Sequence, residues 1–492
     1  MRYLMLFGFI SCVLSSEEIS PRIIIVGSGV SGIAAASRLI QNGFNNITIF
    51  EAENRMGGRV YSVEIGEYLA DFGGEWVTGE VGNVVFELAW PLGLLQRSDD
   101  NKEWTQTIRM FGSSGNEIPQ HVVTPLMEFF DDLTSSNHGG IDDLKTGSFG
   151  EYAEIKINEY FKNHSEITAD LHQPLLHLLE LLKMADDAAI SWNEVSAVKV
   201  LNYPECEGDQ VINWKERTYS TILDILMKKY PNPEEELPIR NLTKLNTKVI
   251  EIKFDETPIK VTTADGEEHF ADHVIVTPSL GVLKKNYNKL FNPLLPENKL
   301  NAIKNLSFGG TAKIIIYYEN PWWLNDPIFG RSIYWTEKDR KELENDPQKK
   351  WMLGVSLCTR IEHKPKLLLF WVSGPYVREM ELTPEGLFQE QVKQLMNKFF
   401  GKTYNLTEPT IIKRTLWNTN ENFLGTYSFP GIQDSIAGAR TEDYAEPLMQ
   451  NDKPILLFAG EGTSIHYGMV NGAIETGWRE ADRLVNYYNI RN

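Results

Sequence analysis

The hydrophobic pattern of this chain alternates between short unbroken apolar runs and longer stretches with helical spacing. Ile23–Val26 is fully apolar, as expected of a strand buried on both faces. It leads into Gly27-Ser28-Gly29-Val30-Ser31-Gly32 and then an Ala-rich segment that reads as a helix. Ile47-Thr48-Ile49-Phe50 predicts a second strand, ending in Glu51. From 96 to 237 helical spacing dominates: Leu171–Met184 keeps a nearly continuous apolar face, and Thr221–Met227 is another helical run. Gly112–Gly115 and His138–Gly140 read as turns. Strand patterns return at Leu245–Phe254, Ile259–Thr263 and His273–Thr277. From 308 to 430 strands and loops are expected to dominate, with strands at Thr311–Tyr318, Lys366–Val372 and Ile411–Leu416. Pro454–Phe458 is a last buried strand running into Ala459-Gly460, and a final helix starts near Gly472.

The order strand, G-x-G-x-x-G, helix, strand, acidic residue carries chemistry. Glycines let the backbone approach a pyrophosphate, and the following helix offers its free N–H groups and positive dipole end. Glu51 falls about 20 residues past the last glycine, where a ribose hydroxyl finds its acceptor. This predicts an α/β protein with a doubly wound, Rossmann-like nucleotide domain. A chain of 492 residues exceeds one hydrophobic core. The strand placement makes the nucleotide domain discontinuous, over 20–95, 238–295 and 440–490. Residues 96–237 and 296–439 are left for a second, α+β domain.

Charge and processing signals narrow the setting. The formal net charge of -19 argues against a nucleic-acid partner and is compatible with cationic ligands. Residues 1–16 read as a secretory signal: Arg2, the apolar run Tyr3–Ile10, then Ser15-Ser16. Five N-glycosylation sequons, at Asn46, Asn163, Asn241, Asn305 and Asn405, fit an extracellular protein. No later stretch is long and apolar enough to span a bilayer, so no stable membrane insertion is expected. Cys12 would leave with the signal; Cys206 and Cys358 could pair, but spacing does not decide it. No cluster has zinc spacing, so no metal is expected.

Several segments together resemble flavin-containing amine oxidases. Glu51-Ala52-Glu53-Asn54-Arg55-Met56-Gly57-Gly58-Arg59 is similar to the family's E-A-x-x-R-x-G-G-R motif. Asp71-Phe72-Gly73-Gly74-Glu75-Trp76-Val77 resembles its E-L-G-A-x-W segment, and Thr277–Lys284 its V-P-L-G-V-L-K. Gly460–Ser464 with Val470–Ala473 resembles its C-terminal flavin motif. Gly82–Ala89 and Gly477–Asp482 look most like the polyamine oxidase branch, whose substrates are spermine, spermidine and their acetylated forms. The resemblance implies FAD, held non-covalently because Glu461–Gly472 contains no cysteine. By the same resemblance Gly27, Ser28, Gly29, Val30, Ser31 and Gly32 would hold the pyrophosphate, and Glu51 the adenosine ribose. Gly58 and Arg59 would lie near the phosphates, and Val249 would give backbone bonds on the adenine side. Gly74, Glu75 and Trp76 would run along the flavin, Glu461 would bind near the ribityl chain, and Met469 and Val470 would sit beside the isoalloxazine.

The implied reaction is hydride transfer from an amine C–H to flavin N5. O2 is then reduced to H2O2, and the imine is hydrolysed to an aldehyde. Lys313, in Phe308–Ile316, matches the family lysine that holds a water against the flavin. Tyr427 would form one wall of an aromatic slot for the amine, with Trp417 nearby. Two positions depart from the family: Thr78, where a Glu or His often meets the polyamine, and Met469, where plant-type enzymes have a second aromatic wall. Both bear on substrate identity. Asp186, Asp187, Glu194 and Glu205 are acidic candidates for a distant ammonium. An oxidase of another amine or an amino acid, or a secreted flavoprotein that binds amines without turnover, remains an alternative. Oligomeric state is not specified by the sequence.

Overall fold

The computed structural model describes residues 21–98, 104–135, 147–326 and 328–489. The proposed signal segment and the His138–Gly140 turn lie outside these residues.

A six-stranded sheet organises the first part of the fold. Its order is Leu448–Gln450, Lys453–Phe458, His273–Val276, Ile23–Val26, Ile47–Phe50 and Thr243–Lys244. All neighbours run parallel except the edge pair Leu448–Gln450 and Lys453–Phe458. The apolar runs read as doubly buried strands therefore occupy a parallel sheet covered on both sides. One face carries helices Val30–Gln41 and Val470–Asn489, packed on Ile23, Ile25 and Ile49. The other receives Ile24, Val26 and Val274. It is covered by the antiparallel strands Val249–Lys253, Ile259–Thr263 and Glu268–Ala271 together with helix Leu280–Leu290. A doubly wound sheet would have helices alone on that second face; here a small sheet shares it.

A seven-stranded sheet dominates the rest. Its order is Ile411–Arg414, Ala312–Tyr317, Lys364–Val372, Val355–Ile361, Gly330–Tyr334, Ile108–Gly112 and Glu117–Ile118. Gly112–Gly115 is the turn expected, but it joins two strands of this sheet. Ala312–Tyr317 is buried on both faces. Ala312, Ile314 and Ile316 enter one core, while Ile315 and Tyr317 enter another with Ile65 and Ala70. Helices Gln120–Thr134, Phe149–Asn163 and Ala169–Asp187 fill the long helical stretch. Strands and loops make up most of 308–430, as expected, but one long helix there was not foreseen. Helix Glu385–Phe400 runs 16 residues there and buries Phe388, Val392, Leu395 and Phe399 against the large sheet.

Candidate active site

The chain fills the six-stranded sheet outward from Ile23–Val26 in one direction, then returns to start again at His273–Val276 beside it. Ligands of parallel sheets bind at the carboxyl ends where strand order reverses in this way. Both strands end there in loops built for close approach. Gly27 has φ +103°, and a Cβ on it would stand 2.5 Å from Thr277 Oγ1. A Cβ on Gly32 would stand 2.0 Å from the Gly27 carbonyl, and one on Gly58 3.1 Å from Gly29 Cα. Helix Val30–Gln41 starts at Gly29 with no side-chain cap, so its first N–H groups are available to an anion. Ser31 Oγ, at the same turn, is buried without a partner. A polar orphan beside an uncapped helix start fits a phosphate group of a dinucleotide.

Two carboxylates brace this end. Glu51 accepts from Ser28 N–H and Ser28 Oγ, both at 2.8 Å, and from Glu53 N–H at 2.8 Å. Glu461, 5% exposed, accepts from Arg59 at 2.9 Å and from Gly468 N–H at 2.9 Å. Arg59 also donates to the Thr426 carbonyl. The guanidinium thus joins three segments distant in sequence by charge-assisted bonds.

From these loops a single cavity of about 1110 Å³ runs into the body of the protein. Gly27, Gly29, Val30, Ser31, Glu51, Gly58, Arg59, Val249 and Glu461 line its nucleotide end. Ser28 and Gly32 do not line it: Ser28 is fully buried and bonded to Glu51, and Gly32 packs on Gly27. Gly74, Glu75, Trp76, Met469 and Val470 line the middle. A Cβ on Gly74 would sit 3.3 Å from Val470 Cγ2, so the two walls nearly meet there.

Lys313 points into this middle section and is 4% exposed. Its ammonium donates to Glu75 Oε2 at 2.7 Å, to the Gly73 carbonyl at 2.9 Å and to the Asp71 carbonyl at 3.2 Å. An ammonium has three donors, and here all three have protein acceptors. In this structure the Lys313 ammonium is thus held by an ion pair with Glu75 and two backbone carbonyls of the same segment. Lys313 lies directly across the sheet from Trp371, its ammonium 5.2 Å from the ring centroid, and Trp371 stacks on Trp76 at 6.1 Å. Behind the pair, Asp71 is buried. Burial pushes its carboxyl up to about 7, although Ser62 Oγ and the Tyr219 N–H donate to it. Trp371 and Asp71 were not among the expected site residues. Only the strand register could have marked Trp371, and the sequence does not display register.

The far end is aromatic and acidic. Tyr427 lines the cavity and donates to the Ala185 carbonyl at 2.7 Å; burial pushes its hydroxyl pKa well up. Trp417 lines it too, its indole N–H donating to the Phe72 carbonyl at 3.0 Å. Thr78, Asp186, Asp187 and Glu205 reach the cavity; Glu194 does not. Asp187 pairs with Lys183 at 3.2 Å, and burial raises the Asp186 carboxyl to about 6 against the pull of Lys183. Cys206 lines the wall and Cys358 is buried elsewhere; both are free thiols. Among the described residues, no group of three or more His, Cys, Asp or Glu could hold a metal.

The profile of the flavin-containing amine oxidoreductase family matches residues 30–485. The chain belongs to this family, and its cofactor is FAD. Among its relatives is the peroxisomal N(1)-acetyl-spermine/spermidine oxidase of Bos taurus, 26% identical over 95% of this chain and 95% of the relative. Polyamine oxidase 1 of Oryza sativa subsp. japonica is 26% identical over 95% of this chain and 98% of that protein. Protein anon-37Cs of Drosophila lebanonensis is 26% identical over 97% and 90%. The protein is thus an FAD-dependent amine oxidase by family. The glycine cradle, the open helix start and the buried Ser31 hydroxyl fit that cofactor.

Proposed function

We propose that this protein is a secreted oxidase of polyamines (spermine, spermidine or their acetylated forms). FAD would be held non-covalently between a discontinuous, Rossmann-like nucleotide domain and an α+β substrate domain. The observation that carries the reading is one continuous cavity lined by the glycine cradle, Lys313, Trp417, Tyr427, Asp186 and Asp187. When bound, FAD supplies the acceptor for the hydrogen and electron pair lost from the amine C–H, which O2 then carries away as hydrogen peroxide. The protein's part is placement. Tyr427 is fixed by its bond to Ala185 and Trp417 by its bond to Phe72, so both rings offer rigid faces to an amine. Asp186 offers a negative site beyond them, suited to a second ammonium of a long substrate. Thr78 can hydrogen-bond but brings no charge to the near wall.

Exposure of the sequon residues Asn46, Asn163, Asn241 and Asn405 supports the secreted reading. Asn305 is half-buried and donates to the Asn301 carbonyl. Among the described residues no helix is long and apolar enough to cross a membrane.

The test is anaerobic mixing of the yellow protein with spermine, spermidine, acetylspermine and simple monoamines. Bleaching of the flavin band by the polyamines, and peroxide release on admitting air, are expected. Bleaching by monoamines alone would reassign the substrate, and no bleaching at all would leave an amine-binding flavoprotein. Lys313→Met is expected to slow flavin reduction or reoxidation on the order of 10²-fold while FAD stays bound.

A further inference from the structure

We propose that Glu75 is the electrostatic counterweight of Lys313, and that the pair sets the reduction potential of the bound flavin. The proposal rests on the reading of the cavity as the flavin site. Glu75 and Lys313 both line its middle section, beside Gly74 and Trp76. Their contact of 2.7 Å is nearly closed to solvent, with side chains 11% and 5% exposed. A pair so buried is screened little by salt or water, so removing one partner leaves an uncompensated charge acting on whatever lies beside it. Flavin reduction adds negative charge in that same space, and charges near the ring are a main lever on its potential. With Glu75 present, the positive end of Lys313 is largely cancelled. Without it, the ammonium would favour the reduced cofactor.

Glu75 is built to hold this position. It stands on the Asp71–Val77 segment, which also presents the Asp71 and Gly73 carbonyls to the same ammonium. The lysine is therefore gripped by one stretch of backbone and one carboxylate. Trp371 closes the opposite side across the strand pair. The other titratable groups facing the pair are Asp71, buried behind it, and Lys364. Lys364 donates to the Arg217 carbonyl at 3.3 Å, and its pKa is lowered by burial against the raising effect of Asp71 and Glu75.

The experiment measures the midpoint potential of the purified, flavin-loaded protein by dye-coupled titration. Four variants are compared with wild type: Glu75→Gln, Glu75→Asp, Lys313→Met and the double variant Glu75→Gln/Lys313→Met. Glu75→Gln keeps the shape and removes the charge, so a positive shift is expected. Lys313→Met leaves the carboxylate alone and should give a negative shift. The double variant should return towards wild type, because two opposite charges of one close pair are removed together and their shifts cancel. Glu75→Asp keeps the charge and should stay near wild type. Unchanged potentials in flavin-loaded Glu75→Gln and Lys313→Met, shifts of the same sign in both, or a double variant that stays as far from wild type as either single variant, would overturn the proposal. A preparation that takes up no flavin would instead overturn the reading of the cavity.

Discussion

At the scale of single residues, burial governs what each ionisable group can do. Asp71 is the clearest case. Its folded carboxyl sits near pKa 7, raised by burial from an ordinary value of 3.8. The native state therefore keeps a proton that the unfolded state gives up at lower pH. The stability this contributes is complete below about pH 4 and is lost as pH rises through 7. At about 1.4 kcal/mol per unit the shift corresponds to a few kcal/mol. Asp71→Asn keeps an acceptor for Ser62 and Tyr219 but cannot ionise. Its stability relative to wild type should climb between pH 4 and 7.5, read from urea unfolding of the flavin-free protein. A parallel pair of pH curves would show that Asp71 ionises normally. His177 and His273 pull the other way. Burial lowers both to about 4 from 6.5, so the stability they contribute is present above pH 6.5 and fades as pH falls through 4.

At the scale of elements, the flavin-side architecture depends on two helices meeting without side chains between them. Helix Val30–Gln41 packs along Val470–Asn489, and a Cβ on Gly477 would stand 2.3 Å from the Ser31 carbonyl and 3.0 Å from Ala34 Cβ. The obstacle is backbone of the phosphate-loop helix, so it cannot rotate away. Gly477→Ala should cost about 1–3 kcal/mol through overpacking and loosen FAD, visible as a lower urea midpoint and flavin lost on gel filtration. Retention of both would mean the helices can separate without cost. These elements were largely legible in the sequence, because a doubly buried strand is an unbroken apolar run and its glycines are dictated by close approach. Ile23–Val26 and the cradle at Gly27 were therefore readable from local pattern alone, as was Ile259–Thr263 from its alternation of buried and half-buried positions. Helix Glu385–Phe400 was equally written in its spacing, with Phe388, Val392, Leu395 and Phe399 on one face, but lay among strand signals that masked it. The Lys313–Glu75 pair and the Lys313–Trp371 register were not legible. Both depend on which distant segments become neighbours, a long-range property absent from any local window.

At the scale of the whole molecule, the cavity is made by segments far apart in the sequence. Its lining draws on Gly27, Glu51, Val249, Lys313, Tyr427 and Glu461, so its walls come from early, middle and late segments alike. A ligand filling it binds only when these segments are assembled. FAD should therefore stabilise the native state by mass action, by about 2.7 kcal/mol at a free concentration 100 times its Kd. Arg59 concentrates this coupling, because it ties the Gly57–Arg59 turn to Thr426 and Glu461. Arg59→Met leaves Glu461 buried without its cation, a loss that cofactor does not replace. Calorimetry of wild type should show one transition whose Tm rises with added FAD. Arg59→Met should show a lower Tm and a smaller rise over the same FAD series. An FAD response equal to wild type would mean the segments cohere without Arg59, and the coupling would then have to run through the packed strands of the two sheets.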